Sequence, residues 1–382
     1  MNYDIFITGD FFVGNHAGGR LLPLAEENDI DNLFGELLPI LKNSTLSIIN
    51  LEAPLIDQDL AVSKTGPSLK MPTKTVNILK GAGINCVCLA NNHILDHGPI
   101  GLDKTINLLR HNNIDTVGAG LNSSEKRNYV IKSIKDNKIG IINVCENEWI
   151  TSNDGQVGAN RLDAVDVYYQ IKTLKSLTDY IIVIFHGGNE YYALPSPRVK
   201  KTMRYFIDLG VDAVVGHHTH TFSGNEIYNG KPIYYSLGNF IFDSQKKSKG
   251  NNWNIGIGLG INIENNNLIF QMLPFRQHAE KLGVNILMNE ALNKFDKEIA
   301  ELNLIIQDEK LLKEAYEKFA NKQSVQYESF INPYEGKLSS LFKKGLLPNV
   351  FGKNKNKLLL NLIRCESHRE LLELILNNKL KK

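Results

Sequence analysis

Short apolar runs alternate with amphipathic helical stretches from the amino terminus to about residue 220. Residues 4–10 (DIFITGD) and 179–188 (DYIIVIFHGG) have the length and the β-branched content of buried strands. Residues 98–112 and 198–210 instead place apolar side chains at helical spacing, the first behind a Gly-Pro start and the second ahead of Gly210. This alternation predicts an α/β protein whose sheets are largely buried.

The pattern changes at about residue 224, where strand-like runs flank turn residues. Asn229-Gly230 separates two such runs and is a strong hairpin signal. A second hairpin is predicted to turn at the asparagine run 265–267. Parallel-type strands therefore lead into antiparallel ones, as in a mixed sandwich of two sheets.

Beyond about residue 285 the sequence has a helical pattern and many charged residues. We therefore predict a main domain over residues 1–285 and a helical C-terminal region over residues 286–382. The apolar faces of these helices are expected to pack on the main domain or on a protein partner.

Composition narrows the classes of function. The formal net charge of +2 gives no argument for binding nucleic acid or a membrane surface. The start, MNYDIFITGD, lacks a signal-peptide pattern, and no window approaches the roughly 20 apolar residues of a bilayer span. The four cysteines form no metal-type pairs and are expected to be buried, inert thiols. A cytoplasmic protein is expected, with any membrane association through a partner.

Polar residues occur where the predicted strands end. Since the carboxyl ends of strands in an open α/β sheet converge on one crevice, these side chains are expected to lie together. Three of the ten histidines fall within residues 216–220, in the stretch GHHTH. The candidates for this site are Asp10, Glu52, Asn92, His93, His186, His218 and His220.

This mixture of side chains indicates metal binding. Carboxylate, amide oxygen and imidazole are ligands that Zn²⁺, Mn²⁺ and Fe²⁺ accept. A carboxylate can also bridge two ions about 3.5–4 Å apart, an arrangement that favours displacement at phosphorus. His218 and His220, two positions apart on a loop, can direct their rings at neighbouring ions.

Six short motifs follow one another along the first 275 residues. They are GD at 9–10, NLEAPL at 50–55, ANNHILDHG at 90–98, HGGNEY at 186–191, GHHTH at 216–220 and YSLGNFIFD at 235–243. In this order they closely resemble the CapA-type poly-γ-glutamate capsule biosynthesis family, a branch of the calcineurin-like metallophosphoesterase superfamily. The resemblance implies a four-layer α/β/β/α sandwich with a binuclear metal site at one edge.

The resemblance also implies two divalent ions, of Mn, Fe or Zn, and a ligand set for each. Glu52 is expected to bridge them. The ligands of the first ion are then Glu52, Asn92, His186 and His218, and those of the second are Asp10, Glu52 and His220.

The remaining candidates are expected to act on the substrate or to support the ligands. His93 is implied to be the general acid that protonates the leaving oxygen, with water activated by the ions as the nucleophile. Asp96 either orients His93 or caps the helix that begins near residue 99. Glu190 either supports a ligand or faces the substrate. Lys64 and Arg198 border the crevice, where each is either a contact for an anionic substrate or an ordinary surface cation.

Two positions depart from the wider superfamily pattern. Phe12 stands where a metal-binding histidine usually follows the first aspartate, so the ion beside Asp10 is expected to be the weaker one. Gly187 stands where an aromatic residue is more frequent, and it is expected to open space near His186.

The sequence therefore predicts a metal-dependent hydrolase of phosphoester or related anionic bonds, linked to a cell-envelope polymer such as poly-γ-glutamate or a polysaccharide. Two alternatives are a non-hydrolytic accessory protein whose metal site binds an acidic polymer and an amide-bond hydrolase. The expected partner is an anionic small molecule or polymer.

Overall fold

A computed structural model describes residues 1–14, 19–64, 66–150, 156–242, 252–278, 282–331, 338, 341, 346 and 352–380. The strands are β1 (Ile5–Phe12), β2 (Leu46–Leu51), β3 (Cys86–Cys88), β4 (Asp115–Val117), β5 (Ala119–Gly120), β6 (Val130–Ile134), β7 (Asn137–Cys145), β8 (Gly158–Ala159), β9 (Tyr180–His186), β10 (Ala213–His217), β11 (Asn225–Tyr228), β12 (Lys231–Tyr234), β13 (Asn239–Phe242), β14 (Ile255–Glu264), β15 (Asn267–Gln277) and β16 (Val284–Ile286). The α-helices are α1 (Leu22–Glu26), α2 (Ile30–Phe34), α3 (Leu38–Asn43), α4 (Thr75–Gly81), α5 (Gly98–His111), α6 (Ala164–Leu174), α7 (Pro197–Asp208), α8 (Asn289–Gln307), α9 (Glu309–Ile331), α10 (Lys353–Arg364) and α11 (Glu366–Leu380).

The first large sheet has the strand order β16-β15-β14-β1-β2-β3-β4, and β13 pairs with β1. Strands β1 to β4 are parallel neighbours, whereas β14, β15 and β16 join the sheet antiparallel. The predicted second hairpin is confirmed, since β14 and β15 turn at Asn265 and Asn266, which have φ values of 50° and 58°.

The second sheet has the order β11-β12-β10-β9-β7-β6. Its centre is parallel, from β7 through β9 and β10 to β12. The hairpin predicted at Asn229-Gly230 joins antiparallel β11 and β12, and both turn residues have positive φ, as a tight two-residue turn requires.

The two sheets pack face to face. Ile7 of the first sheet and Ile182 of the second lie in one buried cluster, together with the cysteines Cys86 and Cys88. Both thiols are free and buried, as the alternating pattern predicts, and burial raises the pKa of Cys86 to about 12.

Helices cover the outer faces of both sheets. Phe6, which alternates with Ile7 along β1, lies in a cluster with Leu102 of α5. On the other side, Val183 of β9 packs with Met203 of α7. The layers are therefore helix, sheet, sheet and helix, which confirms the predicted α/β/β/α architecture.

The described parts of the C-terminal region are mainly helical, as predicted. Its first helix, α8, belongs to the core, because Phe295 is buried and its ring centroid lies 5.0 Å from that of Phe222. Later helices share a separate apolar cluster, which includes Tyr316 and Leu371. Tyr192 of the main domain stacks on Phe319 of α9, with ring centroids 4.2 Å apart. The division of the chain at residue 285 stays a prediction.

None of the helices in the described part of the chain has the length and the apolar composition that crossing a membrane requires.

Candidate metal centre

The candidate site lies where β1, β2, β9 and β10 end. Asp10 reaches it because the register of β1 shifts on both sides of this residue, against β2 and against β13. Gly9 permits the close approach, since a Cβ atom there would lie 1.8 Å from the carbonyl oxygen of Gly238. The strand can therefore carry a buried carboxylate at its end rather than another core side chain.

Two groups of possible metal ligands meet at this edge. One consists of Glu52, His186 and His218, and the other of Asp10, Glu52 and His220. Within each group, one ligand atom per residue lies within 4.8 Å of the others, and all five residues are buried. The structure therefore brings together the side chains that the sequence predicts as ligands, with Glu52 common to both groups.

The distances around His186 fit a single ion. Its Nε2 atom lies 3.1 Å from Asn92 Oδ1, 3.1 Å from His218 Nδ1 and 3.8 Å from Glu52 Oε1. Ligand atoms about 2.1 Å from an ion at tetrahedral angles are about 3.4 Å apart. The distances from His186 Nε2 to the other three ligand atoms are thus close to those between ligands of one tetrahedral ion.

The second group is less complete. His220 Nδ1 lies 3.7 Å from Asp10 Oδ2, and His220 Nε2 lies 3.9 Å from Glu52 Oε1. Phe12 is fully buried, and its ring packs 5.1 Å from that of Phe242. It belongs to the core, so it supplies no ligand, and the weaker ion beside Asp10 stays a prediction.

Electrostatics also favour a cation here. Burial raises the pKa of Asp10 to about 6, despite a hydrogen bond from Asn50 that lowers it. Burial and the neighbouring histidines lower the pKa of His186 well below its ordinary value, so its imidazole is neutral and can donate a lone pair. A divalent ion would favour the charged form of the carboxylate and the neutral form of the imidazole.

The histidine loop after β10 has an unusual backbone. His218 has a φ of 91° and His220 a φ of 56°, a region that costs non-glycine residues of order 1–3 kcal/mol each. The backbone N–H of His218 donates to Asp10 Oδ2 at 3.1 Å, and Asn239 Oδ1 lies 2.9 Å from His220 Nδ1. These bonds hold both rings against the acidic residues.

The His93 ring is held by a contact with Asp96. Its Nδ1 lies 2.7 Å from Asp96 Oδ2, and Asp96 also accepts a bond from Lys64. Of the two roles considered for Asp96, the structure shows the contact that orients His93. The Lys64 side chain is nearly buried, with 4% exposure, so it is not an ordinary surface cation.

Three of the predicted ligands, Asn92, His218 and His220, line a cavity of about 470 Å³, within the usual size of a small-molecule site. His93, Lys64 and Glu190 also line it, and their action on a substrate stays a prediction. The C-terminal helices also line it, which sequence reasoning missed, through the residues Phe319, Gln323, Tyr327, His368 and Leu371.

Two expectations need correction. The space beside Gly187 is not open, because a Cβ atom there would lie 2.6 Å from Glu146 Cγ. Arg198 is not among the residues that line the cavity. Its guanidinium bonds Glu146 and, at 3.0 Å, Glu370 of α11, so this cation attaches the C-terminal helices to the main domain.

Asn50 is a further site residue that sequence reasoning missed. Its Nδ2 atom donates to Asp10 Oδ1 at 2.7 Å and lies 3.3 Å from His186 Nδ1. It therefore connects a predicted ligand of each ion. The signal was available, since Asn50 is the second-last residue of the buried strand β2, two positions before Glu52. Asp243, the last residue of the sixth motif, lies outside the described residues.

Two packed sheets between helical layers, with carboxylate, amide and imidazole groups gathered at one edge, define a protein with the architecture expected of metallophosphoesterases. The chain belongs to the family described as bacterial capsule synthesis protein PGA_cap, whose model matches residues 4–244.

Two relatives illustrate this membership. The chain is 30% identical over 246 residues to capsule biosynthesis protein CapA of Bacillus anthracis, a match that covers 62% of this chain and 59% of that protein. It is 29% identical to a probable polyglutamine synthesis accessory protein of Mycobacterium tuberculosis, with 55% of this chain and 59% of that protein covered. The chain thus spans about three fifths of the length of these relatives.

Among solved structures, a 5'-nucleotidase precursor from Thermus thermophilus is similar with a TM-score of 0.42 and 15% identity. That match covers 78% of this chain and 57% of the nucleotidase. A likeness at this level does not bear on function.

Proposed function

We propose that this chain is a metal-dependent hydrolase that cleaves a phosphoester or a related anionic bond during synthesis of a capsule or cell-envelope polymer. Membership of the capsule synthesis family gives the biological setting. The observation that carries the chemistry is the pair of ligand groups that share Glu52, each of which contributes one histidine, His218 or His220, to the lining of one cavity.

The ligand set fits two divalent ions, each of which would be Mn²⁺, Fe²⁺ or Zn²⁺. Such ions would polarise the bond under attack and lower the pKa of a coordinated water molecule. Asn50 contacts the Asp10 carboxylate and Asn239 contacts the His220 ring. The protein therefore fixes the direction of both ligands before a substrate arrives.

His93 is the proposed general acid. Asp96 occupies its Nδ1, which leaves Nε2 as the ring nitrogen to donate a proton to the leaving oxygen. Lys64 shares the same carboxylate and lines the cavity, so it adds a positive charge where an anionic substrate would bind. The cavity itself accommodates a small molecule or the end of a polymer.

The test compares His93→Ala with the unaltered chain, using glycerol 2-phosphate, whose alcohol leaving group requires a proton, with phosphate release as the readout and Mn²⁺ as the metal. We expect turnover to fall by about 10²–10⁴-fold, the usual contribution of general acid catalysis. Metal content should not change, because His93 is not a proposed ligand. His111→Ala on the exposed surface of α5 is the matched control and should behave as the unaltered chain.

Full activity in His93→Ala would exclude the assigned acid. Absence of turnover in the unaltered, metal-loaded chain, with phosphoesters and with an amide-linked polymer of glutamate, would contradict the hydrolase proposal as a whole.

The second candidate is a non-hydrolytic accessory protein that binds an acidic polymer through the same centre. The observation in its favour is the cavity beside the metal ligands. Carboxylates of a polymer that entered this cavity could bind the same ions. It predicts affinity for poly-γ-glutamate that requires metal and survives His93→Ala. Affinity that persists after chelation would contradict it. Cleavage of an amide bond is the third option, and release of glutamate in the same assay would identify it.

A further inference from the structure

A second type of ligand cluster lies beside the same cavity, which Glu148 and His368 line. It consists of Glu148 from the loop after β7, Cys365 between α10 and α11, and His368 in the first turn of α11. One possible ligand atom from each lies within 4.8 Å of the other two. Cys365 and His368 have the Cys-x-x-His spacing that places two side chains on one ion, which a search for cysteine pairs overlooks.

Hydrogen bonds fix the direction of the imidazole. His368 Nδ1 lies 2.7 Å from the hydroxyl of Tyr327 on α9, and its Nε2 lies 3.2 Å from Glu148 Oε1. Metal-bound histidines are commonly held in this way, with one ring nitrogen on a polar group and the other on the ion. The ring is thus oriented towards the carboxylate before any ion binds.

A buried amide points to a missing partner at the same place. Asn361 of α10 is 6% exposed, and its Nδ2 atom donates to Glu148 Oε1 at 3.0 Å. Its Oδ1 atom has no hydrogen-bond partner among the described residues. The oxygen belongs to an amide that already contacts Glu148, and an ion bound at this cluster would supply the partner that the oxygen lacks.

We propose that Glu148, Cys365 and His368 bind a Zn²⁺ ion that joins the C-terminal helices to the main domain.

The combination of ligands distinguishes this site from the carboxylate and imidazole centre. A thiolate favours Zn²⁺ over Mn²⁺ or Mg²⁺, so the two places differ in their preferred metal. Burial and the neighbouring acid raise the pKa of the Cys365 thiol well above its ordinary value, and a bound cation would displace its proton.

The position of the site suggests its consequence. Glu148 and His368 line the same cavity as His218, whereas Cys365 is buried behind them. An ion held there would fix the wall that the C-terminal helices contribute to the cavity. This wall lies outside residues 4–244, the part of the chain that matches the family model.

The test uses Co²⁺ as a spectroscopic substitute for Zn²⁺. A thiolate bound to Co²⁺ gives a charge-transfer absorption in the near ultraviolet, which carboxylate and imidazole ligands do not give. The metal-free full chain titrated with Co²⁺ should develop this band, and Cys365→Ala should abolish it. Cys86→Ala is the matched control, because Cys86 is buried between the two sheets, and it should retain the band.

A milder variant guards against misfolding. Tyr327→Phe removes only the hydroxyl that holds His368, and it should keep the band while weakening Co²⁺ affinity by about 10–100-fold. If the unaltered chain gives no band, or if Cys365→Ala retains it, the proposal is wrong and Glu148 and His368 form an ion pair only. Hydrolysis by a chain without the band would leave the proposed function intact, since that centre contains no thiolate.

Discussion

Glu52 is the residue on which the candidate metal centre depends most. It belongs to both ligand groups, with its Oε1 atom 3.8 Å from His186 Nε2 and 3.9 Å from His220 Nε2. Glu52→Gln preserves the size of the side chain but removes its negative charge. Because both proposed ions would share this carboxylate, we expect the single change to remove both of them.

The expected metal content of each variant follows from the number of ligand groups that it disrupts. The unaltered chain should hold about two Mn²⁺ ions, and Glu52→Gln should hold close to none; Zn²⁺ bound by Cys365 and His368 is counted separately and should not change. His218→Ala and His220→Ala each disrupt one ligand group, so each should retain about one ion. The ion lost from His220→Ala is expected to be the weaker one, because its group includes Asp10 and lacks the ligand that Phe12 cannot supply.

Elemental analysis checks this prediction on protein prepared without chelator, equilibrated with Mn²⁺ and freed of unbound metal. Circular dichroism of each variant supplies the folding control. If Glu52→Gln keeps one ion while either histidine variant loses both, Glu52 is not the bridge. If all four proteins contain no metal, the ligand assignment is wrong.

Three further predictions follow from contacts around the site and the core. Asn239→Ala should weaken the affinity for one ion by about 10–100-fold, measured by titration with Mn²⁺, because the amide no longer orients the His220 ring. Phe295→Ala should lower the free energy of unfolding by about 3–5 kcal/mol in urea denaturation, since this ring of α8 is buried in the core; an unchanged midpoint would show that α8 is dispensable. Burial raises the pKa of Glu226, but hydrogen bonds that include one from Arg204 outweigh it and hold the pKa below the ordinary 4.5. The charged form of Glu226 is therefore favoured in the folded state. Its contribution to the stability of the fold is present above about pH 4.5, the ordinary pKa, and is lost as the pH falls through the lower folded-state pKa. Glu226→Gln should flatten this acidic part of the stability curve, and a curve that keeps its slope would contradict the assignment.

Local features of the sequence were sufficient for the strands and the hairpins. The turn at Asn229-Gly230 is set by the backbone freedom of those two residues, so their identity predicts the hairpin without further information. The alternation of Ile5, Phe6 and Ile7 likewise predicts a strand with two covered faces. These signals arise within a few residues of one another.

The candidate ligands could also be predicted, but only as a set. Each lies at a strand end, and parallel strands bring their ends to one edge whatever the loops do. The roles of Asn50 and Arg198 could not be predicted in this way. Asn50 acts through a carboxylate 40 positions away, and Arg198 through a glutamate 172 positions away.

Gly187 shows the same limit. The residue type indicates that a side chain is missing, but it does not say what fills the space. Glu146 fills it from a neighbouring strand end, and this carboxylate in turn bonds Arg198.

The sequence by itself determined the α/β class with two sheets, the hairpins and the residue types gathered near the strand ends, because periodicity, turn chemistry and chain direction act locally; the four-layer order was implied by the family resemblance. Only the tertiary structure decided that Glu52 lies between two ligand groups and that Tyr327 and His368 form a wall of the cavity. Those relations depend on how distant segments pack. The free energy of packing arises from contacts between two surfaces, and no single stretch of sequence contains both of them.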